Sequence, residues 1–105
     1  MIRNIKLEKN KMSRILYAFS FDQGYIYEIE KPGQTKAEKY QWYLLRNDRP
    51  EPLSFKSSTE TTREFNDGTK LSLSHCTLER KGECYKAAPC SGWDMKQIKH
   101  SSKIF

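Results

Sequence analysis

Three thiols and a carboxylate fall at intervals that suit a metal ion. Cys76, Cys84, Cys90 and Asp94 are separated by seven, five and three residues, and zinc accepts thiolate sulfur, imidazole nitrogen and carboxylate oxygen. His100 lies further along and does not keep that interval. His75 adjoins Cys76; if both belong to the strand that ends a hairpin, their side chains point to opposite faces and cannot share one ion. Without metal, Cys76 instead packs as a small hydrophobe under a sheet while the other two thiols sit in a loop. A second chemistry is acid–base. The chain has two histidines, and His75 with His100, aided by a lysine, would equip a metal-independent ribonuclease. No glycine-rich phosphate loop and no paired-ligand motif of a catalytic zinc site is present. None of the three thiols has a sequence setting that marks a nucleophile.

The stretch CTLERKGECYKAAPCSGWD, residues 76–94, resembles the three-cysteine, one-histidine zinc fingers that bind single-stranded RNA. The ligand spacing matches, as do Gly82 two residues before Cys84 and Tyr85 just after it. Asp94 stands where that family has histidine. The resemblance covers less than a fifth of the chain. It implies zinc on Cys76, Cys84, Cys90 and Asp94, and single-stranded RNA as the partner.

Charge narrows the partner class. The net charge is +6 in 105 residues, and it is concentrated at the two ends. Arg3, Lys6, Lys9, Lys11 and Arg14 stand against Glu8 in residues 1–14, while Lys96, Lys99 and Lys103 meet no acid in residues 95–105. The stretch 15–94 holds eleven bases and twelve acids, so the middle is close to neutral. Basic ends hold a phosphate backbone or an anionic surface, or serve as solvated tails that keep a small protein soluble. No run approaches the roughly 20 apolar residues that span a bilayer. The apolar stretch ILYAFSF runs into DQGYIYEIE rather than a small-residue cleavage site. Three cysteines cannot all pair within one chain, which favours a reducing, cytoplasmic setting.

The elements that must position these groups are mainly strands. One domain is expected from the length, and 12% aromatic residues exceed what disordered chains carry. RILYAFSFDQGYIYEIE reads as a hairpin around a three-residue Asp22–Gln23–Gly24 loop. That register pairs Phe21 with Tyr25, Phe19 with Tyr27 and Tyr17 with Ile29, all on one face. TTREFNDGTKLSLSHC reads as a second hairpin. A three-residue loop, Asn66–Asp67–Gly68, pairs Phe65 with Thr69, Arg63 with Leu71 and Glu64 with Lys70, which separates an apolar face from a charge-paired one.

Between the hairpins the signals compete. Thr35 and Glu38 match a helix capping box with Ala37, Tyr40 and Leu44 on one face, whereas YQWYLL has the aromatic content of a strand. A strand from Tyr40 to Arg46 is preferred. Asn47 to Pro52 reads as a loop, Leu53 to Ser57 as a short strand, and SGWDMKQIKH as a short helix with Trp93, Met95 and Ile98 partly docked.

The expected fold is thus mainly β: a small antiparallel sheet or meander of two three-residue-loop hairpins with at most one or two short helices. Residues 1–13 form a basic extension or edge strand, 14–94 the β-rich domain, and 95–105 a basic segment suited to a short helix. The expected function is non-catalytic binding of RNA or single-stranded DNA. Arg3, Lys6, Lys9, Lys11, Lys96, Lys99 and Lys103 would hold phosphates and Tyr40, Trp42 and Tyr43 would present rings to bases. The alternative is a protein-binding inhibitor, immunity factor or assembly subunit that uses a neutral sheet face. The ribonuclease is the third class.

Overall fold

Turn chemistry sets the registers on which everything else depends. The computed structural model describes residues 14–31 and 39–102. Asp22 and Gln23 make a two-residue turn between β1 (Arg14–Phe21) and β2 (Gly24–Glu30), so Phe21 pairs with Gly24. Gly24 has a positive φ, and a Cβ there would collide with the Leu45 carbonyl oxygen on the adjacent strand. Only glycine fits such an approach. Asn47 and Asp48, at φ 50° and 59°, adopt the left-handed pair of a type I′ hairpin turn. They join β3 (Tyr40–Arg46) to β4 (Arg49–Leu53).

The next strands are β5 (Phe55–Ser58), β6 (Thr62–Phe65) and β7 (Lys70–Ser72). The loop between β6 and β7 is Asn66–Asp67–Gly68, with the Phe65 N–H donating to the Thr69 carbonyl at 2.9 Å. Arg63 pairs with Leu71 and Glu64 with Lys70, the register read from the sequence. β8 (Thr77–Arg80), β9 (Glu83–Lys86) and β10 (Ala88–Pro89) follow, then the helix α1 (Gly92–Ser102).

The strands form two antiparallel sheets, in the orders β10-β1-β2-β3-β4 and β5-β6-β7-β8-β9. Only Ser54 separates β4 from β5 and only Ala87 separates β9 from β10. The chain therefore crosses from one sheet to the other at both margins. Its β segments follow one another in an up-and-down ring in which successive strands pair except across Ser54 and Ala87, where the chain passes between the sheets, and β10 returns to pair with β1. A ring of this size has an interior that side chains can fill, or nearly fill.

Phe19, Ile26, Trp42, Leu44, Leu53, Phe65, Leu71 and Leu78 fill it here. The outer face of the first sheet is buried as well: Ala18, Tyr27, Ile29 and Leu45 pack with Ile98 of α1. Ser91 and Asp94 cap that helix reciprocally. The Ser91 backbone N–H and hydroxyl both donate to Asp94 Oδ2 at 3.0 Å, and the Asp94 N–H donates to the Ser91 hydroxyl at 3.3 Å. This is the capping-box arrangement.

Four expectations need correction. The first hairpin has a two-residue turn, so Phe19 pairs with Ile26 and Ala18 with Tyr27. Tyr17 and Phe19 consequently face the ring interior while Tyr27 and Ile29 face α1, because a one-residue slip sends a strand's side chains to the other face. A bulge at Leu16 shifts the register once more, so Tyr17 pairs with Glu28 and Ile15 with Ile29. Residues 49–53 are a strand rather than loop. Pro50 and Pro52 are tolerated because β4 has β3 on one side only within its sheet, where a missing N–H removes no ladder bond.

His75 and Cys76 lie in a turn after β7, with Cys76 at φ 55°. α1 starts at Gly92, inside the stretch assigned to the sheet domain, with Ile98 buried, Met95 half-buried and Trp93 exposed. The basic residues Arg3, Lys6, Lys9, Lys11 and Lys103, the extension 1–13, and the capping box at Thr35 and Glu38 lie outside the described residues.

Candidate functional site

One row of side chains crosses the first sheet on its inner face. Tyr17 pairs with Glu28, Glu28 with Trp42, and Trp42 with Leu53. A carboxylate thus stands in an apolar row between two rings. Those rings lean together over β2: Tyr17 and Trp42 lie parallel, 6.4 Å between centroids and 7° between planes. Trp42 is 3% exposed and is held from the second sheet by the edge of Phe65 at 5.5 Å. Phe65 in turn meets Phe55 edge-on at 6.0 Å.

Arg63, also from the second sheet, places its guanidinium 5.8 Å from the Tyr17 ring centre, within cation–π range. Its Nη1 donates to the carbonyls of Thr59 and Thr62 at 2.8 and 3.0 Å, which fixes its direction.

Beside this row, where β4 bends into β5, lies a cleft of about 480 Å³ lined by Glu28, Tyr40, Gln41, Trp42, Leu53, Ser54 and Phe55. Tyr40 (43%) and Phe55 (48%) expose large parts of their rings. Gln41 is committed to the walls, with Nε2 donating to the carbonyls of Trp42 and Leu53 at 2.8 and 3.0 Å. Burial pushes Glu28 above the usual carboxylate value, and the nearby Arg63 charge and the Trp42 indole N–H oppose that rise without cancelling it. Among the described residues Glu28 enters no ion pair within 4 Å. A half-buried carboxylate with spare lone pairs, set among flat rings, can accept N–H donors from a planar ligand.

The opposite end of the ring is shut. Arg80, 7% exposed, donates through Nη1 to Asp67 Oδ2 at 2.9 Å and to the Thr69 hydroxyl at 2.8 Å. Its Nη2 lies 3.9 Å from Glu51, which also pairs with Arg46 at 3.4 Å. Ionic contacts therefore tie the two sheets together there.

The sequence-derived candidates scatter by comparison. Tyr40 and Trp42 line the cleft. Tyr43 points to the outer face against Tyr27, 5.7 Å between centroids. The segment holding these three is not uncommitted: it is a strand paired on both sides within its sheet. Lys96 and Lys99 are exposed on α1 and, among the described residues, enter no ion pair. Arg14, at the edge of the basic N-terminal run, is bound to Glu30 at 2.7 Å.

Among the cysteines, Cys76 sits in its turn with the thiol 3.9 Å from the Leu73 carbonyl, and Cys84 is exposed on β9. Cys90 lies beneath α1, where burial and then the Asp94 charge push its thiol up to about 12. Asp94 is engaged by Ser91 and by the Tyr25 hydroxyl at 3.2 Å. Among the described residues no three histidine, cysteine, aspartate or glutamate side chains gather as a ligand group for a metal. His75 Nδ1 is held by the hydroxyls of Ser72 and Ser74, while His100 is on α1, which packs over the first sheet's outer face. The two histidines thus belong to different layers.

Sequence reasoning passed over Tyr17, Glu28, Phe55 and Arg63 as a group. One signal was available: with a two-residue turn, Glu28 becomes the acid that interrupts the inner apolar face. No protein-family model, no curated protein and no solved structure matches this chain.

Proposed function

We propose that this protein is a non-catalytic binding module for RNA or single-stranded DNA. An unpaired base enters the cleft at the β4–β5 bend, and lysines and arginines follow the phosphates. The observation that carries this reading is the cleft itself: the exposed rings of Tyr40 and Phe55 and a carboxylate acceptor, Glu28, in one recess. Stacking on aromatic side chains plus hydrogen bonds to a splayed base is how single strands are held.

The net charge of +6 supports it, as do Lys96 and Lys99, whose charges meet no acid among the described residues. Three cysteines without a disulfide suit a reducing cytoplasm. No helix among the described residues is long and apolar enough to cross a membrane.

The test is fluorescence anisotropy of labelled single-stranded oligonucleotides across a salt series. If four basic side chains neutralise phosphates, the log–log slope is about −3. Affinity that stays flat from low to physiological salt overturns the reading. The second reading is a protein partner, favoured by one observation: β5 pairs only with β6, and Phe55–Ser58 are all exposed. That edge can receive an added strand. Recovery of a protein from a nuclease-treated extract, with salt-insensitive affinity, would select it.

A further inference from the structure

We infer that the cleft is selective for guanine, with Glu28 reading the edge that carries the ring N–H and the adjacent amino group. The inference rests on the single-strand reading above and adds to it the identity of the base. An ionised carboxylate only accepts hydrogen bonds, and its two oxygens take neighbouring donors in bidentate fashion. Among the four RNA bases, guanine alone sets two adjacent N–H donors on its pairing edge. Adenine and cytosine offer one amino group beside a bare ring nitrogen. Uracil offers one N–H between two carbonyls, each of which would face the carboxylate with like partial charge.

The surroundings of Glu28 agree. Trp42 uses one of its acceptor sites, which orients the group and leaves the others for a ligand. The carboxylate lines the cleft together with Tyr40, Trp42 and Phe55, and the exposed rings of Tyr40 and Phe55 offer faces for a flat heterocycle whose edge meets Glu28. A volume of about 480 Å³ is in the range that accommodates one small ligand. A purely apolar cleft would accept any base. The half-buried carboxylate is the feature that makes three of the four unfavourable, because each wrong base leaves it desolvated and under-bonded.

The same edge belongs to guanine within a strand and to free guanosine monophosphate, so the experiment carries both. Trp93→Phe leaves Trp42 as the single tryptophan and its fluorescence as the reporter. Affinities are measured for UUGUU, UUAUU, UUCUU, UUUUU and guanosine monophosphate, and for UUGUU with inosine replacing the guanosine. UUGUU is expected to bind about tenfold or more tightly than the other three pentamers. Inosine, which lacks the amino group, should forfeit most of that gain. Glu28→Gln should abolish the preference, so that UUGUU binds no more tightly to the variant than UUAUU, UUCUU or UUUUU does. Guanosine monophosphate binding as tightly as UUGUU would also support guanine selection and identify the free nucleotide as the source.

Equal affinity for all four pentamers overturns the guanine assignment and leaves the single-strand reading intact. No binding by any pentamer, with guanosine monophosphate also inert, overturns both. The inosine substitution alters only the probe, so the assignment remains refutable even if Glu28→Gln fails to fold.

Discussion

Replacing Asp67 with alanine removes the carboxylate that balances Arg80 at the shut end of the ring. The Arg80 side chain is 7% exposed, whereas that of Asp67 is 42% exposed. Two interactions disappear. The first is the charge-assisted bond from Arg80 Nη1 to Asp67 Oδ2 at 2.9 Å, of a kind that contributes about 1.5–3 kcal/mol. The second is the bond from the Thr69 backbone N–H to Asp67 Oδ1 at 2.9 Å, which holds the Asn66–Gly68 loop and contributes about 1 kcal/mol.

Arg80 keeps the Thr69 hydroxyl at 2.8 Å and the more distant Glu51, and water can reach the vacated position. The loss should therefore stay near the lower end of the 3–5 kcal/mol seen when one member of a fully buried pair is removed. A value of about 3 kcal/mol corresponds to a fall in Tm of about 15 °C for a domain of this size. Thermal melting followed by circular dichroism reads it, with urea unfolding as the second measure.

The pH dependence has a defined sign. Burial raises the Asp67 carboxyl, but the Thr69 N–H and hydroxyl and Arg80 outweigh it and hold the group below 3.8. Its stabilisation is present above 3.8 and is lost as pH falls through the lower folded-state value, so the gap between wild type and variant should close only in strong acid. Adding Arg80→Met to Asp67→Ala should recover part of the loss, because the unbalanced guanidinium is the penalty. A fall in Tm of less than about 4 °C, or a double variant less stable than Asp67→Ala alone, would refute the reasoning.

Gly24→Ala should lower stability by about 2–4 kcal/mol, read as a shifted urea midpoint at unchanged slope, because its Cβ meets a backbone oxygen on a central strand. Gly68→Ala, where a Cβ has open space and only the positive φ of 92° opposes it, should lose about 1 kcal/mol. Glu28→Gln should raise Tm at pH 7 by a few degrees, about 4 °C at most once solvent screening of this half-exposed group is allowed for. Its folded-state value is raised above 4.5, so wild type loses stability as pH climbs through the window just above 4.5, and the two melting curves should converge below it.

Legibility in the sequence followed the range of the interaction that decided each feature. The second hairpin could be read because its determinants are local: Asn-Asp-Gly supplies the loop, and Glu64 opposite Lys70 fixes the register. The strand Tyr40–Arg46 could be read because three aromatics in six residues favour a strand. The first hairpin could not. Its apolar residues at 17, 19, 21, 25, 27 and 29 suggest a single buried face, but this sheet is buried on both faces, by the second sheet within and by α1 without. Alternation then carries no information on facing. The deciding contact, Gly24 beneath the Leu45 carbonyl, joins residues far apart in the chain.

β4 was obscured by two prolines, which signal a loop unless the strand is known to lie at a margin. The cysteine spacing does not show a further, local role of Asp94, which caps the start of α1 with Ser91. The cleft was invisible because Glu28, Trp42 and Phe55 come from separate strands and converge only once the ring closes.

That closure puts the ion-paired end of the ring and the proposed binding cleft at opposite ends of one small barrel. Inward positions near the Asn66–Gly68 loop carry a full complement of charges that satisfy one another, Arg80 with Asp67 and Glu51. Inward positions on the other side carry Glu28 and Arg63, whose charge acts on the Glu28 carboxyl although the two make no ion pair within 4 Å. A fold selected for stability alone would replace Glu28 with an apolar residue, since the row Tyr17, Trp42 and Leu53 is otherwise continuous and desolvating an acid opposes folding. An ionisable group kept where it weakens the fold, beside rings left open to solvent, supports the proposed site, in which a ligand would supply the missing contacts. Glu28 is therefore the residue on which stability and binding should respond in opposite directions.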